Sequence, residues 1–314
     1  MNQTEHLSAE ERGRLVSLIR RSSRPLEPLP LMPGELPADW ERTALRGASL
    51  RAVLFDLYGT LFISAAGDIA SGSGAAEDGA AVDAGMSAWF RAAVKARHAR
   101  AHAAGVAWPE VRVEEIWAEY SAQGKTASPL VEDNSTKEAC SGGAERSREI
   151  ALRYECAVNP VYPMPDALET IRALRGQGFI LGIISNAQFF SPLLFDAFFG
   201  AAPAALGFDP GLLIYSFEAG EAKPSPALFA RALDALAQRG VKAAETLYMG
   251  NDLRNDITGA AAAGMKTCLF AGDRRSLRLR PDERGYPRPD MTVRSLADAA
   301  RRLRAAYAGP EAGR

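Results

Sequence analysis

Arg51-Ala-Val-Leu-Phe-Asp-Leu-Tyr-Gly-Thr60 is the stretch from which the rest of the chain can be read. Its apolar run, Ala52 to Phe55, has the pattern of a strand buried on both faces of a sheet. The run ends in a carboxylate, Asp56, which is costly there unless the strand end opens into a site. Open α/β sheets form their sites outside the carboxyl ends of the strands. Gly59 permits a tight turn, and the amides after Asp56 can point toward an anion. The plainer alternative is an aspartate that caps the following turn.

Downstream, strand and helix alternate. A helix over about 164–177 leads to Phe179-Ile-Leu-Gly-Ile-Ile184, a second buried strand that ends in Ser185-Asn186. Leu212–Tyr215 is a third strand, followed by Lys223-Pro224, with Pro224 and Pro226 suited to a helix start. Thr246–Met249 is a fourth, leading through Gly250-Asn251-Asp252-Leu-Arg-Asn255-Asp256 into a helix at Ile257. Lys266–Phe270 and Asp290–Val293 supply a fifth and a sixth, before a C-terminal helix from Ser295. This alternation predicts an α/β fold with a doubly wound parallel sheet.

Between the first two strands lie roughly a hundred residues, too many for a loop. Ser64–Gly85, with Ser71-Gly-Ser-Gly74 near its centre, reads as a mobile loop rather than an element. Helices are expected over about 84–104, 110–122 and 143–157, with breaks at Ser135–Ser141 and Gly142-Gly143. An inserted helical domain over 64–162 accounts for them. Residues 1–48 read as an extension: a helix capped by Ser8 and running to about Arg21, then the proline-rich Arg24–Pro33. We read it as a packing arm without chemistry.

Composition narrows the class. The 314 residues are 47% hydrophobic with a formal net charge of −1, which gives no electrostatic case for nucleic acid. No apolar run approaches the roughly 20 residues of a membrane span. The N-terminus shows no signal-peptide core. Cys140, Cys156 and Cys268 form no close pair and point to a reducing compartment, with cytoplasm the default.

Asp56 and Tyr58, Ser185 and Asn186, Lys223, and Asp252 with Asp256 all fall just after a strand or just before a helix. Each alone has a bland reading as a cap or a solvated side chain; all of them at one sheet edge point to a site. Clustered acids call for a cation, and Mg²⁺ prefers oxygen ligands. An aspartate can attack as a nucleophile, with Lys223 offsetting charge and Ser185 donating to the transferring group.

Asp56-Leu-Tyr-Gly-Thr60, Ile184-Ser185-Asn186, Lys223-Pro224 and Gly250–Asp256 resemble, in order, the four motifs of the haloacid dehalogenase superfamily. The resemblance covers about 51–63 and 163–295. It implies a Rossmann-like core over 49–63 and 163–314, Asp56 as nucleophile, and a helical cap over 64–162 closing on the substrate. Two departures stand out. Phosphatases of the family carry a second aspartate, the general acid and base, where this chain has Tyr58; the family's 2-haloacid dehalogenases carry tyrosine there. Metal-dependent members have an acid directly after the glycine, where this chain has Asn251, with Asp252 one step along. The carboxylate left in that loop favours Mg²⁺ held by Asp56, the Tyr58 carbonyl, and Asp252 or Asn251, with Asp256 beside them. The expectation is a Mg²⁺-dependent phosphatase-type hydrolase acting on a small phosphorylated molecule. A metal-independent dehalogenase and a binding or regulatory protein are the alternatives.

Other features read more plainly. His98 and His102 suit a solvated basic face better than a metal site. Trp89, Phe90 and Trp117 suit helical core packing. The arginine-rich Gly272–Pro289 reads as a long loop.

Overall fold

The structure is a computed structural model, and it describes residues 7–40, 45, 48–67, 82–125, 143–280 and 285–307. Cys140, the Ser71–Gly74 run and the Ser135–Ser141 break lie outside the described residues. The strands in chain order are β1 (Ala52–Phe55), β2 (Phe62–Ser64), β3 (Val161–Pro163), β4 (Ile180–Ser185), β5 (Phe208–Tyr215), β6 (Thr246–Gly250), β7 (Lys266–Phe270) and β8 (Met291–Val293). Six of them form one parallel sheet in the order β5-β4-β1-β6-β7-β8. This is the Rossmann-like α/β core that the alternation predicts.

β1 lies inside the sheet, with Phe55 opposite Ile183 of β4 and Met249 of β6. Val53 and Phe55 enter one hydrophobic cluster while Ala52 and Leu54 enter another on the opposite face. Both faces being covered explains why the strand is apolar throughout. The chain winds to β4 and β5 on one side of β1 and to β6, β7 and β8 on the other. The ends of β1, β4 and β6 therefore share one edge, at the point where the winding direction changes.

The sequence pattern left β2 and β3 unseen. They form a separate antiparallel ribbon, Phe62 opposite Pro163 and Ser64 opposite Val161, three residues each and too short to show a period. Between them run α2 (Ala84–Ala103), α3 (Val113–Ala122) and α4 (Gly143–Val158). Phe90 stacks on Trp117 at 5.3 Å and Trp117 meets Tyr154 at 4.9 Å, so these aromatics are the core of the helical segment.

The N-terminal arm is tied in along its length. Helix α1 (Ala9–Ser22), capped by Ser8 accepting from the Glu11 amide, packs on α4 and on a core helix, Leu193–Phe199. The buried Glu11 carboxylate accepts from Arg148 Nε and Nη2 at 2.6 and 3.0 Å. Further on, Leu31, Leu36 and Trp40 pack with Leu253, Ile257 and Leu269 beside the end of β6.

Candidate active site

Asp56 follows β1 directly and is buried at the carboxyl edge of the sheet. Its Oδ1 accepts from Ser185 Oγ at 2.8 Å and from Lys223 Nζ at 2.7 Å. Among the described residues no hydrogen bond reaches Oδ2, so the carboxylate is anchored by one oxygen and offers the other. Ser185 closes β4, and Asn186, the next residue, fixes Lys223 through its Oδ1, which accepts the Lys223 amide at 2.7 Å.

Lys223 is fully engaged. Its Nζ donates to Asp56 Oδ1, to Asp256 Oδ1 at 2.6 Å and to Tyr248 OH at 3.0 Å. Burial alone drags its pKa down, but Asp256 and Asp56 outweigh that and raise it, keeping the ammonium charged. Asp256 is pushed up to about 6: burial raises it, Lys223 opposes, and Asp56 and Asp252 add repulsion. Tyr248 OH donates to the Ile184 carbonyl at 2.7 Å, which pins β6 to β4 beneath the site.

The glycine loop after β6 places its acids differently from one another. Asp252 caps the wide helical turn Leu253–Thr258 by accepting from the Arg254 and Asn255 amides, and it receives both Nε and Nη2 of Arg280. Asp256 Oδ2 accepts the Asp252 amide at 2.9 Å. Both carboxylates thus already carry partners on both oxygens. Asn251 sends its Nδ2 to the Ser276 carbonyl at 2.7 Å and accepts from Thr60 Oγ1 at 3.2 Å, which sets its amide against the Asp56–Thr60 turn. Gly59 has φ +78°, and a Cβ there would meet the Asn251 amide nitrogen at 2.7 Å. Only glycine allows that approach.

Tyr58 goes elsewhere. Its side chain is buried and its hydroxyl shares a 2.8 Å hydrogen bond with Ser191. Burial and the nearby Glu155 raise its pKa well above that of an ordinary phenol. It is no proton shuttle at neutral pH. Its carbonyl, by contrast, accepts no backbone hydrogen bond among the described residues, and the Leu57 and Tyr58 amides donate none.

The structure therefore brings Asp56, Ser185, Lys223 and Asp256 into direct contact and sets Asn186 behind Lys223. Asn251 and Asp252 stand at the rim, each with its own partners. Tyr248 and Arg280 join the cluster without having been expected. Among the described residues, no group of three or more His, Cys, Asp or Glu side chains is placed to hold a metal ion. Among the described residues, the oxygens left without a hydrogen bond beside the β1 end are Asp56 Oδ2 and the Tyr58 carbonyl; Asn251 Oδ1, which already accepts from Thr60, lies against the same turn and keeps one lone pair. One carboxylate and two carbonyls are a hard donor set, suited to Mg²⁺ with waters completing its shell.

The carboxyl edge of a parallel α/β sheet, at the switch point of the winding, is where such a fold places a site, and the lysine-anchored aspartate stands there. The chain belongs to the haloacid dehalogenase-like hydrolases, whose family model matches residues 50–264. A phosphoserine phosphatase of Thermus thermophilus is 30% identical over 195 residues, 59% of this chain and 72% of that protein. A ribulose-1,5-bisphosphate 5-phosphatase of Halopiger xanaduensis is 35% identical over 109 residues, 34% of this chain and 41% of that protein. Among solved structures, an L-2-haloacid dehalogenase is 19% identical with a TM-score of 0.49, over 81% of this chain and 98% of that one. No helix among the described residues is long and apolar enough to cross a membrane.

Proposed function

We propose that the chain is a phosphatase that hydrolyses a small phosphorylated molecule through Asp56, with Mg²⁺ as cofactor. The observation that carries this reading is the one-sided anchoring of Asp56. Ser185 and Lys223 hold Oδ1, which restricts the carboxylate and leaves Oδ2 to attack phosphorus. The phosphatases among the relatives support the same choice.

Asp56 Oδ2 forms the bond to phosphorus as the bond to the leaving oxygen breaks, giving an aspartyl phosphate and an alcohol. Water then attacks that phosphorus, and Asp56 is returned with inorganic phosphate. The Leu57 and Tyr58 amides, which make no backbone hydrogen bond among the described residues, would donate to the phosphoryl oxygens, and Lys223 offsets the charge gathering beside Asp56. Mg²⁺, held by Asp56, the Tyr58 carbonyl and Asn251, would neutralise the phosphoryl group; Asp252 joins it only on releasing Arg280. With no acid at position 58, the leaving oxygen takes its proton from solvent. We read residues 64–162 as the cap over the site and the rest from residue 49 as the catalytic core.

The test is phosphate release from p-nitrophenyl phosphate. Turnover with Mg²⁺ that is lost with chelator and falls at least about a thousandfold in Asp56→Asn supports the reading. Tyr58 favours a second one, in which Asp56 attacks carbon. Chloride release from 2-chloropropionate in the presence of chelator, without phosphate release, decides for it.

A further inference from the structure

A cavity of about 640 Å³ opens between α2 and the core loops beside Asn186 and Ala222. Those two residues follow Ser185 and precede Lys223, the anchors of Asp56, so the cavity begins at the edge of the candidate site. Its volume suits a small molecule.

The wall facing the core is cationic. α2 contributes Arg91, Lys95, His98 and His102, at steps of four, three and four residues, which places them along one stripe of the helix. Among the described residues neither Arg91 nor Lys95 has an ion pair, while Arg97 on another flank of α2 pairs with Glu119 at 2.6 Å. His98 Nε2 is buried without a hydrogen-bond partner among the described residues, a position that costs free energy until something fills it. Among the described residues the acid that lines the cavity is Glu110. Its carboxylate accepts from Ser216 Oγ at 2.6 Å and from the Val111 amide at 2.8 Å, contacts that tie it to the core loops.

We propose that the substrate carries a second anionic group, remote from the reacting phosphate, and that Arg91 and Lys95 bind it with His98 Nε2 donating beside them. This rests on the phosphatase reading, since the reacting phosphate must sit at Asp56. Solvated alone, two cations on a helix face need no explanation. Here both are exposed yet line a cavity whose opposite wall includes Asn186, alongside an orphaned imidazole nitrogen. Lysine and arginine serve a carboxylate and a phosphate equally well, so the second group is defined by charge.

Two matched pairs test this. 3-Phosphoglycerate differs from glycerol 3-phosphate by a carboxylate, and fructose 1,6-bisphosphate differs from fructose 6-phosphate by a phosphate. At least one pair should show a preference of about tenfold or more in kcat/KM for the doubly anionic member, as expected for a charged hydrogen bond. Which pair shows it distinguishes carboxylate from phosphate. Arg91→Ala with Lys95→Ala should bring that ratio close to one, and Arg91→Lys with Lys95→Arg should restore most of it. A ratio near one in the native protein for both pairs, or a ratio untouched by the double alanine variant, overturns the proposal. Should the protein release no phosphate from any of the four or from p-nitrophenyl phosphate, the phosphatase reading fails separately. Calorimetric binding of the same pairs then reads the cationic wall directly: equal affinities within each pair sink it, and a preference lost in the alanine variant sustains it.

Discussion

Asp256 shows how much of the site's behaviour rests on one buried carboxylate. With its pKa raised to about 6 inside the fold, it takes up a proton at a higher pH than the unfolded chain does. On its account, stability is fully present below the unfolded value of about 4 and declines as pH rises through about 6. Activity runs the other way, because an ionised Asp256 is what holds Lys223 against Asp56. We expect kcat/KM to fall by one proton's slope below about pH 6, and Asp256→Asn to remove that limb from the pH profile. A profile flat through this range in the native protein contradicts the assignment. Asp56 and Ser185 were legible because a polar residue at the end of an apolar strand is conspicuous, and Lys223 and Asp256 because they sit just ahead of predicted helices. Tyr248 was not: a tyrosine inside an apolar strand reads as core, although its buried hydroxyl needs a partner. Arg280 was hidden among several arginines of one loop, and nothing in sequence spacing ties it to Asp252.

Elements of a few residues were as hard to see as single side chains. The six sheet strands announced themselves through apolar runs, although β5 starts at Phe208, earlier than Leu212, because Asp209 and Pro210 interrupt its pattern. The β2–β3 ribbon gave no signal, yet it is where the helical segment leaves and rejoins the core. The expectation of a bare packing arm also understates α1, whose charged face is used. Arg148 meets the buried Glu11, and Arg14 meets Glu145 at 2.7 Å, both on or at the start of α4. Glu11→Ala leaves Arg148 without its partner at a half-buried position. It should lower stability by about 1.5–3 kcal/mol, read by urea unfolding. Arg148→Ala added to it should cost less than the sum of the two single changes, since both remove one interaction. Full additivity shows that the pair contributes nothing.

Across the whole molecule, the helical segment is joined to the core along two sides with different physics. On the α1 side, Leu15, Val16, Leu18 and Ile19 are buried in the main hydrophobic cluster, and each such side chain is worth about 1.5–3 kcal/mol. On the other side the join is polar. The Ala222 amide donates to the Trp108 carbonyl at 2.8 Å, Glu110 to the Gly220 carbonyl at 3.1 Å, and Gln188 Nε2 to the Val111 carbonyl at 2.9 Å. Such hydrogen bonds exchange with water at a net cost of only about 1 kcal/mol each. Opening should therefore break the polar side first and pivot about α1 and the β2–β3 ribbon, uncovering the cavity beside Asn186. The Val113 amide reports this, since it donates to Gln188 Oε1 at 3.2 Å. In Gln188→Ala, hydrogen exchange at Glu110 and Val113 should quicken about fivefold or more, while Ala151 and Leu152 in α4 keep their protection. Equal acceleration on both sides would mean that the segment detaches as one body, with no pivot at α1.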